Sequence, residues 1–240
     1  MDKQRINGLD IFRGWALLFM IAYHFTFDLN HFHFISVDMN HTVGFLIARY
    51  TIMSMFLLGV GISLALAHKN GIKWKAVGKR VLILGIASAL VTIATYVEFP
   101  YSWVYFGILH FILLASLLAL PFLFFPKIAL TTAIILLVGS ASNLLHMHGV
   151  FAFLQPILNL PPLYSEDLVP LTPWFAVVLL GTVVVNYKLH EKIFKSKFFN
   201  TSFSLNKTLK FMGQYSLIIY LIHQPILFLL FDLYFSFSLK

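Results

Sequence analysis

Long apolar runs separated by short polar breaks recur along the whole chain. Each of seven runs approaches the ~20 residues that an α-helix needs to cross a bilayer. They cover residues 10–32, 43–67, 78–97, 102–125, 127–146, 171–188 and 211–236. The pattern predicts an all-α, polytopic integral membrane helical bundle of about seven transmembrane helices, built as a single domain over 1–240. Residues 147–170 depart from it, because Pro156, Pro161, Pro162 and Pro170 interrupt a short apolar stretch. That segment is expected to lie in the extracytoplasmic interface or to re-enter the membrane.

The first run, LDIFRGWALLFMIAYHFTFDLNHFHF, is apolar yet carries an ordered set of ionisable groups. Asp10, Arg13, Leu17, Met20, His24, Asp28 and His31 are spaced by three or four and share one helix face. Trp15, Phe19, Ala22 and Thr26 form the opposite face. An ionisable group at mid-membrane costs several kcal/mol unless it is paired or meets water. The polar face is therefore expected to point into the bundle, with Asp10 and Arg13 paired at its inner end. At a rise of about 1.5 Å per residue, His24 falls roughly 20 Å along the helix, in the outer half of the membrane. Asp28 lies one turn higher, and Arg49 on the second run reaches the same level, so an Asp28–Arg49 pair is expected. His110 on the fourth run, Asn143 at the end of the fifth, and Tyr220, His223 and Gln224 on the seventh aim at the same zone. Pro225 is expected to kink the seventh helix beside His223. The stretch GVGIS (59–63) is expected to mark close helix packing.

Composition agrees with the pattern. The 240 residues are 60% hydrophobic and 11% charged, against about 25% charged in soluble domains. No soluble domain of useful size is left over. The absence of cysteine excludes disulfides, thiolate metal sites and cysteine nucleophiles. A net charge of +8 would point a soluble protein toward nucleic acid. Here the basic residues gather in alternate loops: Lys3 and Arg5; Lys69, Lys73, Lys75, Lys79 and Arg80; Lys127; then Lys188 to Lys210. The intervening loops carry Asp38, Glu98, Glu166 and Asp167 instead. That alternation puts the N-terminus in the cytoplasm and the C-terminus outside, and removes the reason to expect a nucleic-acid partner. The first apolar run shows no signal-peptide pattern.

A histidine beside a carboxylate can serve as a general base, or can itself carry an acyl group. Histidines on facing membrane helices can also ligate haem, although the repeated histidine spacing usual in such sites is missing. A His/Asp relay could equally serve a proton-linked small-solute transporter. Composition and spacing leave these readings side by side.

The motifs narrow them. RINGLDIFRGWALLFMIAYHFTFDL resembles the opening signature of the heparan-α-glucosaminide N-acetyltransferase catalytic-domain family, in its short bacterial branch. FLLGVGISLALA, VYFGILHFILLASLLALP, TPWFAVVLLG and FMGQYSLIIYLIHQPIL follow in the expected order. A more distant likeness is to membrane O-acyltransferases of bacterial envelope sugars. The resemblance implies a transmembrane acyltransferase of the bacterial cytoplasmic membrane. Such an enzyme takes an acetyl group from cytoplasmic acetyl-CoA to an amino or hydroxyl group of an extracytoplasmic sugar or glycan. His24, oriented by Asp28, is then the expected base. In the lysosomal members the position of His24 holds Asn and the catalytic histidine lies beyond the helix end, so His31 and His33 are candidates too. Arg49, His110, Asn143, Tyr220, His223 and Gln224 are the expected acceptor pocket. Asp10, Arg13, Lys73, Lys75, Lys79 and Arg80 are the expected acetyl-CoA site. Neither metal nor haem is expected, the lipid bilayer is an expected partner, and a homodimer stays open. The chain lacks the extra helices and lumenal domain of the lysosomal enzymes, so a heparan substrate is not carried over. A proton-linked transporter is the alternative.

Overall fold

A computed structural model describes residues 6–161, 165–200 and 204–238. Lys3, Arg5 and Pro162 lie outside the described residues. Every regular element among those residues is helical. The chain forms two compact units, Met1–Phe56 with Glu191–Lys240, and Leu57–His190.

Among the described residues three helices are long and apolar enough to cross a membrane: Val43–Ala67, Trp74–Glu98 and Ser216–Tyr234. The first two are α2 and α3, and the third lies within α11 (Ser216–Ser238). Helix α1 (Asn7–His31) matches α2 in length at 25 residues, but its polar stripe dilutes its apolar character. The remaining apolar helices are shorter than the runs that predict them, for local reasons. In the run 102–125, helix α4 occupies only Ile108–Leu118, and Pro121 helps turn the following residues into a short 3-10 segment, Leu120–Phe124. Pro126 opens α5 (Pro126–Ala141), and Asn143, at φ 57°, closes it in the left-handed conformation. Helix α6 (His148–Leu158), with Pro156 inside it, falls in the proline-rich segment. Its 11 residues cover only about 16 Å, too short to span. Helix α7 is Leu171–Asn186.

The run 211–236 also divides. Helix α10 (Ser204–Gln214) ends before Tyr215, and α11 starts after it. Two further short helices, α8 (Leu189–Phe194) and α9 (Lys197–Asn200), fill the basic stretch expected to be loop. The reason is amphipathicity: α10 alternates lysines with Leu209 and Met212, so it makes a helix without making a span.

In the first unit α10 crosses α1 at backbone contact. A Cβ on Gly14 would collide with the Leu209 carbonyl, and a Cβ on Gly213 with the Asp10 carbonyl. Beyond this crossing, Leu17, Met20 and Ile52 form a core against Tyr23, Phe56, Ile219 and Tyr220.

In the second unit Gly61 of α2 and Gly181 of α7 meet in the same way, as GVGIS predicts. An extended clasp joins residues 102–108 to 165–169. The Glu166 amide donates to the Ser102 carbonyl at 2.8 Å, and the Val169 amide to the Phe106 carbonyl at 3.1 Å. Ser102 Oγ donates to Glu166 at 2.6 Å. Asp167 Oδ2 accepts from the Ile108 amide at 2.9 Å, which satisfies a first-turn donor of α4.

Burial pushes the Asp167 carboxyl above the usual carboxylate range, against the Ile108 amide, which pulls it down. The folded chain therefore keeps a proton that the unfolded chain has already released. This contribution to stability is full below the ordinary carboxylate range and is lost as pH rises through the raised folded value. Asp167→Asn keeps an oxygen for the amide and should flatten that slope in thermal unfolding measured across a pH series. Asp167→Ala removes the cap as well and should lie about 1 kcal/mol below Asp167→Asn at every pH.

Candidate active site

The C-terminal half of α1 and the first half of α11 build one cluster, with Asp28 and His223 buried and His24 and Gln224 half-buried. His24 and Asp28 stand one turn apart on the polar stripe of α1. Asp28 has no exposed surface at all. Gln224 Nε2 of α11 donates to Asp28 Oδ1 at 2.6 Å. A carboxylate accepts only, so this bond also fixes which end of the Gln224 amide faces Asp28.

His223, next to Gln224, is buried as well. Its Nδ1 lies 2.5 Å from the Tyr220 carbonyl. A carbonyl cannot donate, so Nδ1 carries the proton and a neutral ring keeps its lone pair on Nε2. The His24 ring meets that of His223 with centroids 5.0 Å apart and planes at 62°.

Three acceptor atoms of this cluster are buried without a partner among the described residues: Asp28 Oδ2, Gln224 Oε1 and His223 Nε2. Each such atom typically costs about 1–3 kcal/mol. The cluster is therefore rich in acceptors, and a group bearing several N–H or O–H donors would satisfy it.

Two expected pairings are replaced. Arg49 donates to Asn40 Oδ1 at 3.2 Å rather than to Asp28. Asp28 Oδ1 accepts from Gln224, and Asp28 makes no hydrogen bond with His24 among the described residues. His31 and His33 lie past the cluster, at the exposed end of α1. His31 stacks on Phe27 with centroids 6.2 Å apart and faces Phe228 at 5.7 Å. His33 sits outside the helix at φ 64°. Asp10 and Arg13 pair at 3.5 Å, as their spacing predicts.

In the second unit His110 is held by its own surroundings. Its Nδ1 accepts from the Gly107 amide at 3.3 Å, and its Nε2 lies 3.1 Å from Thr92 Oγ1. Thr92 already donates to the Val104 carbonyl at 2.8 Å, so His110 Nε2 is the donor of that pair. One ring nitrogen thus serves the start of α4 and the other ties it to α3. Asn143 is exposed and ends α5. Arg80 Nε donates to the buried Ser116 Oγ at 3.0 Å, while Lys73, Lys75 and Lys79 are exposed.

Sequence reasoning did not single out Thr92, Thr95 or Ser116. Thr92 and Thr95 lie three apart on one face of α3, and Thr95 Oγ1 accepts from the Val104 amide at 3.0 Å. That spacing was the available signal.

The architecture is that of a helical membrane protein with a buried histidine, carboxylate and carboxamide cluster. The model of the heparan-alpha-glucosaminide N-acetyltransferase catalytic family matches residues 5–225, and the chain belongs to that family. Membership makes it a membrane acetyltransferase by class. No curated protein and no solved structure matches the chain.

Proposed function

We propose that the protein takes an acetyl group from acetyl-CoA in the bacterial cytoplasm to an amino or hydroxyl group of a sugar or glycan outside. The observation that carries this reading is the trio of partnerless buried acceptors at Asp28, His223 and Gln224. An amine fits them better than a hydroxyl, since it offers more than one N–H.

The chemistry follows from the same atoms. The acceptor nitrogen attacks the acetyl carbonyl carbon, and a histidine lone pair, at His223 Nε2 or on His24, takes the proton that nitrogen loses. The carbon–sulfur bond then breaks, and the departing thiolate collects that proton to leave as free CoA. Asp28 Oδ2 or Gln224 Oε1 holds the amine's second N–H and so positions the lone pair for attack. Lys73, Lys75, Lys79 and Arg80 are assigned to the CoA phosphates, as charge matching favours. Asp10 and Arg13 are assigned to the donor side of α1.

Reconstituted protein given labelled acetyl-CoA should release CoA when an amino sugar is supplied, and far less when that sugar is already N-acetylated. Release that ignores the acceptor, or no release with any amine or sugar, would sink the proposal. Asp28→Asn should raise the KM for an amine acceptor about 10- to 100-fold, the worth of one hydrogen bond to a charged group. Unchanged acceptor kinetics would remove Asp28 from the pocket.

A further inference from the structure

We infer that helices α8–α10 form a binding surface for an anionic phospholipid leaflet. This goes beyond acetyl transfer and is independent of the chemistry at His24 and His223. The stretch 191–214 carries Lys192, Lys195, Lys197, Lys207 and Lys210 against the single acid Glu191. Large apolar side chains stand exposed among those lysines: Ile193 at 46%, Phe198 and Phe211 each at 59%. On α10, Lys207, Phe211 and the following Tyr215 recur at four-residue spacing, on the side away from Leu209 and Gly213.

Chain connectivity places this surface. Helix α10 stops at Gln214, and Ser216–Tyr234, long and apolar enough to cross a membrane, begins after one residue. An amphipathic helix joined that closely to a span has its outer side at the headgroup level. There, aromatic and aliphatic side chains enter the boundary of the acyl region while lysine ammonium groups meet lipid phosphates. A partner of opposite charge and mixed polarity, laid out as a plane, is what this face complements.

The surface also reaches the site-bearing helix. Phe194 packs on Gly8, Leu209 on Gly14, and Gly213 on the Asp10 backbone. Lipid held by α8–α10 is therefore one helix away from α1.

The test is native mass spectrometry of the full chain in detergent, titrated with phosphatidylglycerol or phosphatidylcholine. Phosphatidylglycerol should be retained at least tenfold more strongly. The preference should vanish in K192Q/K195Q/K197Q/K207Q and persist when the same four exposed positions are Arg. Raising salt from low to high should cancel it in the unaltered protein, a readout that needs no variant. Equal retention of the two lipids, or a preference that survives in the Gln variant, overturns the inference. So does displacement of bound phosphatidylglycerol by acetyl-CoA mole for mole, which would make the face a phosphate site for the donor.

Discussion

His223→Ala is expected to lower acetyl transfer about 10²- to 10⁴-fold, the usual worth of a positioned general base. The protein should stay folded, because the lost ring contributes one short bond to its own helix carbonyl and an edge contact with His24. The Tyr220 carbonyl holds the proton on Nδ1, so Nε2 keeps a free lone pair in a buried place. His24→Ala is the companion experiment, since His24 shares the cluster. CoA release assayed on both variants separates the roles. If His24→Ala is dead and His223→Ala is active, the base is His24 and His223 only shapes the wall. If both stay active, the base has to be sought at His31 or His33, beyond the cluster.

Gly14→Val and Gly213→Ala should each destabilise the first unit by about 1–3 kcal/mol or more, the range for forcing atoms into a packed contact. At both positions the new carbon would meet a backbone carbonyl rather than a movable side chain. Relief requires α1 and α10 to separate, which would open the core around Leu17 and Met20. Gly78→Ala and Gly85→Ala are the controls. Nothing lies near either Cβ, and removing a helix-interior glycine should stabilise by roughly 0.5–1 kcal/mol. Thermal midpoints in detergent check all four variants. Equal midpoints across the two pairs would mean that α10 does not bear on α1 at backbone distance.

Much of the first unit was legible in the sequence. The three- and four-residue spacing on α1 gave the Asp10–Arg13 pair and set His24 and Asp28 on one stripe. The same reading put Tyr220, His223 and Gln224 at the matching place on the last helix. It misjudged Asp28's partner, because a depth estimate cannot choose between Arg49 and an amide 196 positions away. His110 carries a further feature of this kind. Its position three residues into α4 is a local capping arrangement with Gly107, and depth carries no information about that. The run 102–125 reads as a single helix by composition alone. What shortens it is the clasp to 165–169, a long-range pairing that no local pattern encodes. The lysine-rich stretch before α11 reads as loop for a similar reason: its helices contact α1 through glycines, which carry no hydropathy signal.

The two ends of α1 are secured by unlike means. Near Gly8 and Gly14 it is wedged against Phe194 and Leu209, with no side chain to yield. Near Asp28 it is held to α11 by side chains: the Gln224 amide bond and the ring contacts His24–His223, Phe25–Phe231 and His31–Phe228. The wedged end is thus a fixed bearing, and the other end an arm held by side chains that can turn. In hydrogen–deuterium exchange the amides around Gly14 should be among the last to label, and those past His24 should label earlier.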